Sequence, residues 1–199
     1  MISVYKIKPK FQKLLLPLLL LLRKIGVTPN HITVFSIIFS FFLGFLLLNA
    51  SENNFLYLLV ALGLLLRMAL NALDGMMAKN YNLQSKSGEV LNEIGDIFSD
   101  VAIYFPLLYF EGLRFEYVVI FIILSIINEF CGVLAKIISG ERRYDGPMGK
   151  SDRALLIGLL CIFLFFTIEV YHFLNYVLIL TIVLMMISSY LRLINAINK

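Results

Sequence analysis

Asp74, Asp96 and Asp100 are the residues from which chemistry can be argued. Each lies inside a run long and apolar enough to cross a bilayer, where an ionised side chain costs several kcal/mol and usually marks function. Glu89, Glu93, Asn71 and Asn92 accompany them between Arg67 and Asp100. At about 100° per residue, Arg67, Asn71, Asp74 and Ala78 fall within an arc of about 60° on one helix. On the next, Glu89, Asn92, Glu93, Asp96 and Asp100 share an arc of about 100°. Two helices joined by a short loop pack antiparallel, so the two polar faces can meet across one cleft. Carboxylates and amide carbonyls facing one another suit a hard divalent ion, Mg²⁺ or Mn²⁺, which typically adds substrate phosphates to one or two carboxylates. Gly75 leaves room for a phosphate to approach the backbone, and Lys79 with the cationic 142–153 loop can balance phosphate charge. The competing assignment is interhelical hydrogen bonding in a scaffold or a transporter. A transport pathway should line the full membrane depth, whereas these acidic groups gather near one surface.

The elements that hold this stretch are apolar. The chain of 199 residues is 60% hydrophobic with a mean hydropathy of +0.90, too apolar for a soluble domain of this length. It is expected to be an all-α integral membrane protein with six transmembrane helices, at about 31–50, 55–78, 88–110, 117–138, 153–170 and 173–193. Residues 1–29 form a juxtamembrane segment and 30–199 the six-span domain. The apolar part of the first 24 residues is too short to span and contains Pro17, so an interfacial amphipathic helix with its lysines toward anionic headgroups is expected. Asn30 or Thr33 is expected to cap the first span. The start lacks the pattern of a removed signal peptide. Cys131 and Cys161 sit in apolar runs without metal-ligand spacing and read as small apolar residues.

Charge orients the spans. Of the 17 lysines and arginines, all but two fall on one side: the N-terminal segment, the 79–87 loop, the 136–153 region and the C-terminus. Arg67 lies within a span and Arg114 on the other side. That bias predicts cytoplasmic termini, a cytoplasm-facing acidic cleft and residence in the inner membrane. It also accounts for the basic charge without nucleic-acid binding.

The stretch Asn71-Ala-Leu-Asp74-Gly75-Met-Met-Ala78-Lys79, eight residues, Gly88-Glu-Val-Leu-Asn92-Glu-Ile-Gly-Asp96 resembles the CDP-alcohol phosphatidyltransferase signature, D-x2-D-G-x2-A-R-x8-G-x3-D-x3-D. The spacing matches throughout, and Asp74, Gly75, Ala78, Gly88 and Asp96 match in identity. The TPNHIT stretch is similar to the family's entry motif. The NALDGM and LNEIGD variants most resemble a bacterial inner-membrane subgroup.

The resemblance implies transfer of a phosphatidyl (or similar) group from a CDP-linked lipid, CDP-diacylglycerol first among them, to an alcohol with release of CMP. It implies one or two Mg²⁺ or Mn²⁺ ions, a homodimer, Asp74 and Asp96 as metal ligands, and Asp96 as general base. It implies Gly75, Ala78, Lys79 and Gly88 at the nucleotide, and Arg142, Arg143, Lys150 and Arg153 at the acceptor or its phosphate. The departures are Asn71 and Asn92 for two family aspartates and Lys79 for its arginine. Asn offers a carbonyl but no charge, so Asp100 or Glu93 is expected to compensate. The basic 142–153 loop points mildly to a phosphorylated or anionic acceptor, although cytoplasmic topology explains the same charges. A catalytically impaired homologue that binds nucleotide-lipid or metal as a scaffold is the second reading, and a small transporter the third.

Overall fold

A computed structural model describes residues 8–167 and 171–198, with side chains of 8–10 and 171 left aside. Among these residues the chain is all helical: α1 Lys8–Lys24, α2 Pro29–Leu48, α3 Phe55–Asn80, α4 Lys86–Tyr104, α5 Phe115–Ser139, α6 Lys150–Phe165 and α7 Tyr171–Ile197, with a 3-10 turn at Phe105–Tyr109 after α4. Four helical stretches, Pro29–Leu48, Phe55–Asn80, Phe115–Ser139 and His172–Ile197, are long and apolar enough to cross a membrane. Helix α4 carries Lys86, Glu89, Glu93, Asp96 and Asp100, and α6 has 16 residues, so neither meets that criterion alone. The expected end of the fifth span at Val170 lies outside the described residues, as does Lys6 of the basic N-terminal segment.

Local chemistry fixes the helix ends. The cap of α2 is Thr28, which corrects the expectation of Asn30 or Thr33. Pro29 has no amide hydrogen and a fixed φ, so it suits the first helical position and leaves the extended Thr28 to cap. The Thr28 hydroxyl accepts from the His31 amide, and His31 Nδ1 accepts from the Thr28 amide. Helix α5 ends on Gly140 at φ 78°, a left-handed position that favours glycine. Pro106 cannot donate to the α-helical ladder, and the end of the expected third span tightens there into the 3-10 turn.

Helix α2 packs on α3 and α4, α3 also on α6, and α5 on α7. Leu43, Leu47, Val60, Leu64, Ile103, Phe121, Ile157 and Met185 form one buried cluster. A second joins α1 to α3 through Leu15, Leu19, Leu70, Leu73 and Met77. The other faces of α1 expose Leu14, Leu16, Leu18, Leu20 and Leu21. Asn128 donates from α5 to Ser189 Oγ (3.1 Å) and the Met185 carbonyl (3.3 Å) of α7, a polar clamp of the kind that holds helices together in lipid.

The α2–α4 contact is backbone to backbone. A Cβ on Gly44 would lie 2.2 Å from the Ala102 carbonyl oxygen. Gly44→Ala is therefore expected to separate the helices and destabilise the fold by about 1–3 kcal/mol. Thermal unfolding in detergent checks this, and an unchanged midpoint would refute the close approach.

Candidate active site

Three hydroxyls of α2 meet three polar groups of α3 in an antiparallel ladder. Thr33 Oγ1 donates to Asp74 Oδ2 (3.2 Å), Ser36 Oγ donates to Asn71 Oδ1 (3.0 Å), and Arg67 Nε donates to Ser40 Oγ (2.9 Å). The steps are three and then four residues, up one helix and down the other, so each rung returns to the shared face. Thr33, Ser36 and Ser40 are all buried. Sequence reasoning did not single out this ladder, although its matching polar spacing on adjacent helices was readable.

Above the ladder opens a cleft of about 1180 Å³. It is lined by Asn71, Asp74, Gly75 and Ala78 of α3, by Gly88, Asn92 and Asp96 of α4, and by Arg142 and Lys150 beyond α5. The two acidic faces therefore meet as their periodicity predicts. Gly75 has open space where a Cβ would stand. At Gly88 a Cβ would lie 2.8 Å from Asn30 Oδ1 and 2.9 Å from Ser85 Oγ, so glycine there lets the start of α4 close on α2.

Other expected residues lie elsewhere. Lys79 is exposed at the end of α3 and does not line the cleft. Arg143 donates to the Asn195 carbonyl of α7 (3.1 Å). Asp100 departs from its expected ligand role: it is buried beneath the cleft, with Arg67 on Oδ1 (2.7 Å) and Arg153 on Oδ2 (2.8 Å). Arg153 is fully buried, donating also to Glu129 (2.8 Å), to the Met148 carbonyl (3.2 Å) and to Tyr104 OH (3.3 Å). It turns inward from the first turn of α6 and offers no donor to an acceptor in the cleft.

The chain of charges continues toward the rim. Arg142 donates one terminal nitrogen to Glu129 (2.7 Å) and the other to Glu93. Burial works against its charge, but Tyr144, Glu129 and Glu93 outweigh burial and hold its guanidinium above the ordinary arginine value. Lys136 pairs with Glu89, and Lys150 with Asp96. Arg192 of α7, missed in the sequence, lines the cleft as well. An arginine inside an apolar span was the available signal.

The donor set fits a hard divalent ion. Asp74 and Asp96 supply carboxylate oxygens, and Asn71 and Asn92 can add amide carbonyls. The Lys150 ammonium on Asp96 shows that this position already accepts a cation. Among the described residues no group of three or more His, Cys, Asp or Glu side chains gathers for a metal, and two of the signature positions hold asparagine.

A family model, CDP-alcohol phosphatidyltransferase, matches residues 26–191. The inner membrane protein YnbA of Escherichia coli (strain K12) is 47% identical over 157 residues, which cover 79% of this chain and 78% of that one. The fold is similar to that of Mycobacterium tuberculosis phosphatidylinositol phosphate synthase (PgsA1). Its crystal structure in complex with manganese and citrate matches with a TM-score of 0.73 at 21% identity, covering 90% of this chain and 87% of that one. Its structure with CDP-DAG bound matches with a TM-score of 0.73 at 20% identity, covering 90% and 92%. At such identities the likeness is one of fold.

Proposed function

The chain belongs to the CDP-alcohol phosphatidyltransferase family, and we propose that it transfers a phosphatidyl group from a CDP-linked lipid to an alcohol at the cytoplasmic face of the inner membrane. The observation that carries this reading is the meeting of Asp74 and Asp96, at signature spacing, across one open cleft. CDP-diacylglycerol is the proposed donor, by analogy with the structural neighbour crystallised with CDP-DAG.

Asp74 and Asp96, with the carbonyls of Asn71 and Asn92, would hold Mg²⁺ or Mn²⁺. The ion supplies charge neutralisation on the diphosphate and on the departing CMP. Thr33 and Ser36 fix the rotamers of Asp74 and Asn71 from below, and Ser36 leaves one lone pair of the Asn71 carbonyl available. Asp96 takes the proton of the acceptor hydroxyl. The hydroxyl oxygen bonds to the lipid-side phosphorus, the bond from that phosphorus to the CMP oxygen breaks, and CMP leaves with the electron pair. Lys150 is assigned to phosphate charge, and Gly75, Ala78 and Gly88 to the nucleotide wall. Exposed Lys79 is placed at the nucleotide's outer edge.

Six spans are proposed in place of four. Helix α4 packs on α2 and α6 on α3, so each accompanies a spanning helix through the bilayer. Helix α1 is proposed to lie in the interface, and two copies to form a homodimer. Both termini are assigned to the cytoplasm by the positive-inside bias.

The test is CMP release from CDP-diacylglycerol by purified protein with Mg²⁺ or Mn²⁺ and a broad panel of acceptors. Release only with the metal supports the reading, and none with any acceptor overturns it. The asparagines motivate a second reading, a homologue that binds nucleotide-lipid without turnover. Its signature is binding without CMP release, unchanged in the Asn71→Asp/Asn92→Asp variant. On the catalytic reading, Asn92→Asp restores one ligand charge and is expected to lower the metal concentration for half-maximal CMP release by about tenfold. A metal titration checks it, and an unchanged midpoint removes Asn92 from the ligand set.

A further inference from the structure

We infer that the acceptor is an alcohol without a phosphate or other negative group. The inference rests on the transferase reading above and names the substrate class of that site. It reverses the impression given by the basic 142–153 loop.

A phosphorylated acceptor needs cations with donors free to fork onto its oxygens. The side of the cleft beyond Asp96 holds cations, but each already rests on a carboxylate or a carbonyl, and the Nε of Arg142, which has no partner, is buried. Both terminal nitrogens of Arg142 are on carboxylates, Glu93 and Glu129, and its side chain is only 13% exposed. Lys136 at the rim is on Glu89. Arg192 donates to the backbone carbonyls of Asn128 and Asp145, with Glu129 within electrostatic reach. Lys150 rests on Asp96 and belongs to the phosphoryl-transfer end.

Charge adds to geometry. Glu89 and Glu93 stand one turn apart on α4, on the same face as Asn92 and Asp96, and Glu129 backs them from α5. With Glu93 behind Arg142, three carboxylates stand against the cations Lys136, Arg142 and Arg192 on this side. A phosphate dianion entering there would lose its hydration, meet Glu89 and Glu129 on the lining with Glu93 behind Arg142, and gain both terminal nitrogens of Arg142 only by breaking two charge pairs that are largely out of water. A hydroxyl or an ammonium meets the opposite situation. The carboxylate oxygens of Glu89 and Glu129, which line the cleft, accept from either, and no ion pair need break. Glu89 and Glu93 are thus specificity determinants: they hold Arg142 and Lys136 and set the sign of the acceptor's charge. The transfer step is unchanged, with the acceptor oxygen replacing the CMP oxygen on the lipid-side phosphorus.

The experiment compares matched acceptors in one CMP-release assay with CDP-diacylglycerol and Mn²⁺: glycerol against sn-glycerol 3-phosphate, inositol against inositol 1-phosphate, and ethanolamine as the amine-bearing arm. The unphosphorylated member of a pair, or ethanolamine, is expected to react at least about tenfold faster at equal concentration. A phosphorylated acceptor that is equal or faster overturns the inference and leaves the transferase reading standing. No release with any acceptor overturns that reading and the inference with it. Glu93→Gln keeps a hydrogen-bond acceptor for Arg142 and removes the charge, so the ratio should shift roughly tenfold toward the phosphorylated member. Glu89→Gln, at the exposed rim, should shift it the same way without disturbing the interior. A ratio unmoved in both variants removes these glutamates as determinants.

Discussion

Asp96→Asn is expected to lower CMP release by about 10³-fold or more while the protein stays folded. Asp96 is assigned two tasks. As general base it takes the acceptor proton, a role worth about 10²–10⁴-fold in other enzymes. As ligand it is one of only two carboxylates among the signature positions, so its loss leaves Asp74 and two neutral amides to hold a divalent ion. Asparagine keeps the shape and can still accept from Lys150, which limits the structural cost to a partly exposed ion pair.

The comparison with Asp74→Asn separates the two tasks. Asp74 is a ligand but not the base, so excess Mn²⁺ should restore much of the Asp74→Asn activity. Excess Mn²⁺ should not restore Asp96→Asn, because an amide cannot take the proton. Metal titrations of CMP release in both variants read the difference. Equal rescue of the two would remove the base assignment from Asp96, and activity of Asp96→Asn within tenfold of the parent would remove both roles.

How much of this was legible in the sequence depends on how local each cause is. Helix positions and the meeting of the α3 and α4 acidic faces follow from periodicity and a short connection, and both are local. The glycine at 140 and the proline at 29 mark helix ends by their own backbone chemistry. Asp100 shows the limit. It shares the helix face of Asp96, so a helical projection places it in the cleft, but depth along the axis decides its partner. One turn deeper than Asp96 it meets Arg67 from α3 and Arg153 from α6, and nothing in the spacing of α4 announces that approach. Proximity in sequence to Lys150 and Asp152 groups Arg153 with the basic loop. In the helix it points inward, where only tertiary contacts could locate it. The pairing of Arg142 with Glu93 and Glu129 was hidden for the same reason, since its partners are 49 and 13 residues away.

Arg153→Met is expected to destabilise the protein by about 3–5 kcal/mol, the usual cost of breaking a buried pair from one side. The arginine has no exposure, and its guanidinium joins Asp100 of α4, Glu129 of α5 and Tyr104 at the end of α4. Through Asp100 the network reaches Arg67 and then Ser40 of α2. Methionine fills part of the volume, so the loss is mainly that of charge: Asp100 keeps Arg67, and Glu129 keeps Arg142, but each loses a donor it cannot replace from water. Removing a counter-charge as well should return part of the stability. Arg153→Met/Glu129→Gln, which leaves Arg67 on Asp100 and Arg142 on Glu93, is therefore expected to be more stable than Arg153→Met alone, a non-additivity that a double-mutant cycle in detergent measures directly. Simple additivity would mean that packing volume, not charge, holds the five helices there. The consequence for activity follows from the helix itself. Asp96 sits one turn from Asp100, so whatever releases Asp100 also frees the segment of α4 that aims Asp96 into the cleft. Arg153→Met should then lose CMP release well below its unfolding temperature, and the Glu129→Gln partner change should not recover it fully, because Asp100 would still lack its second arginine.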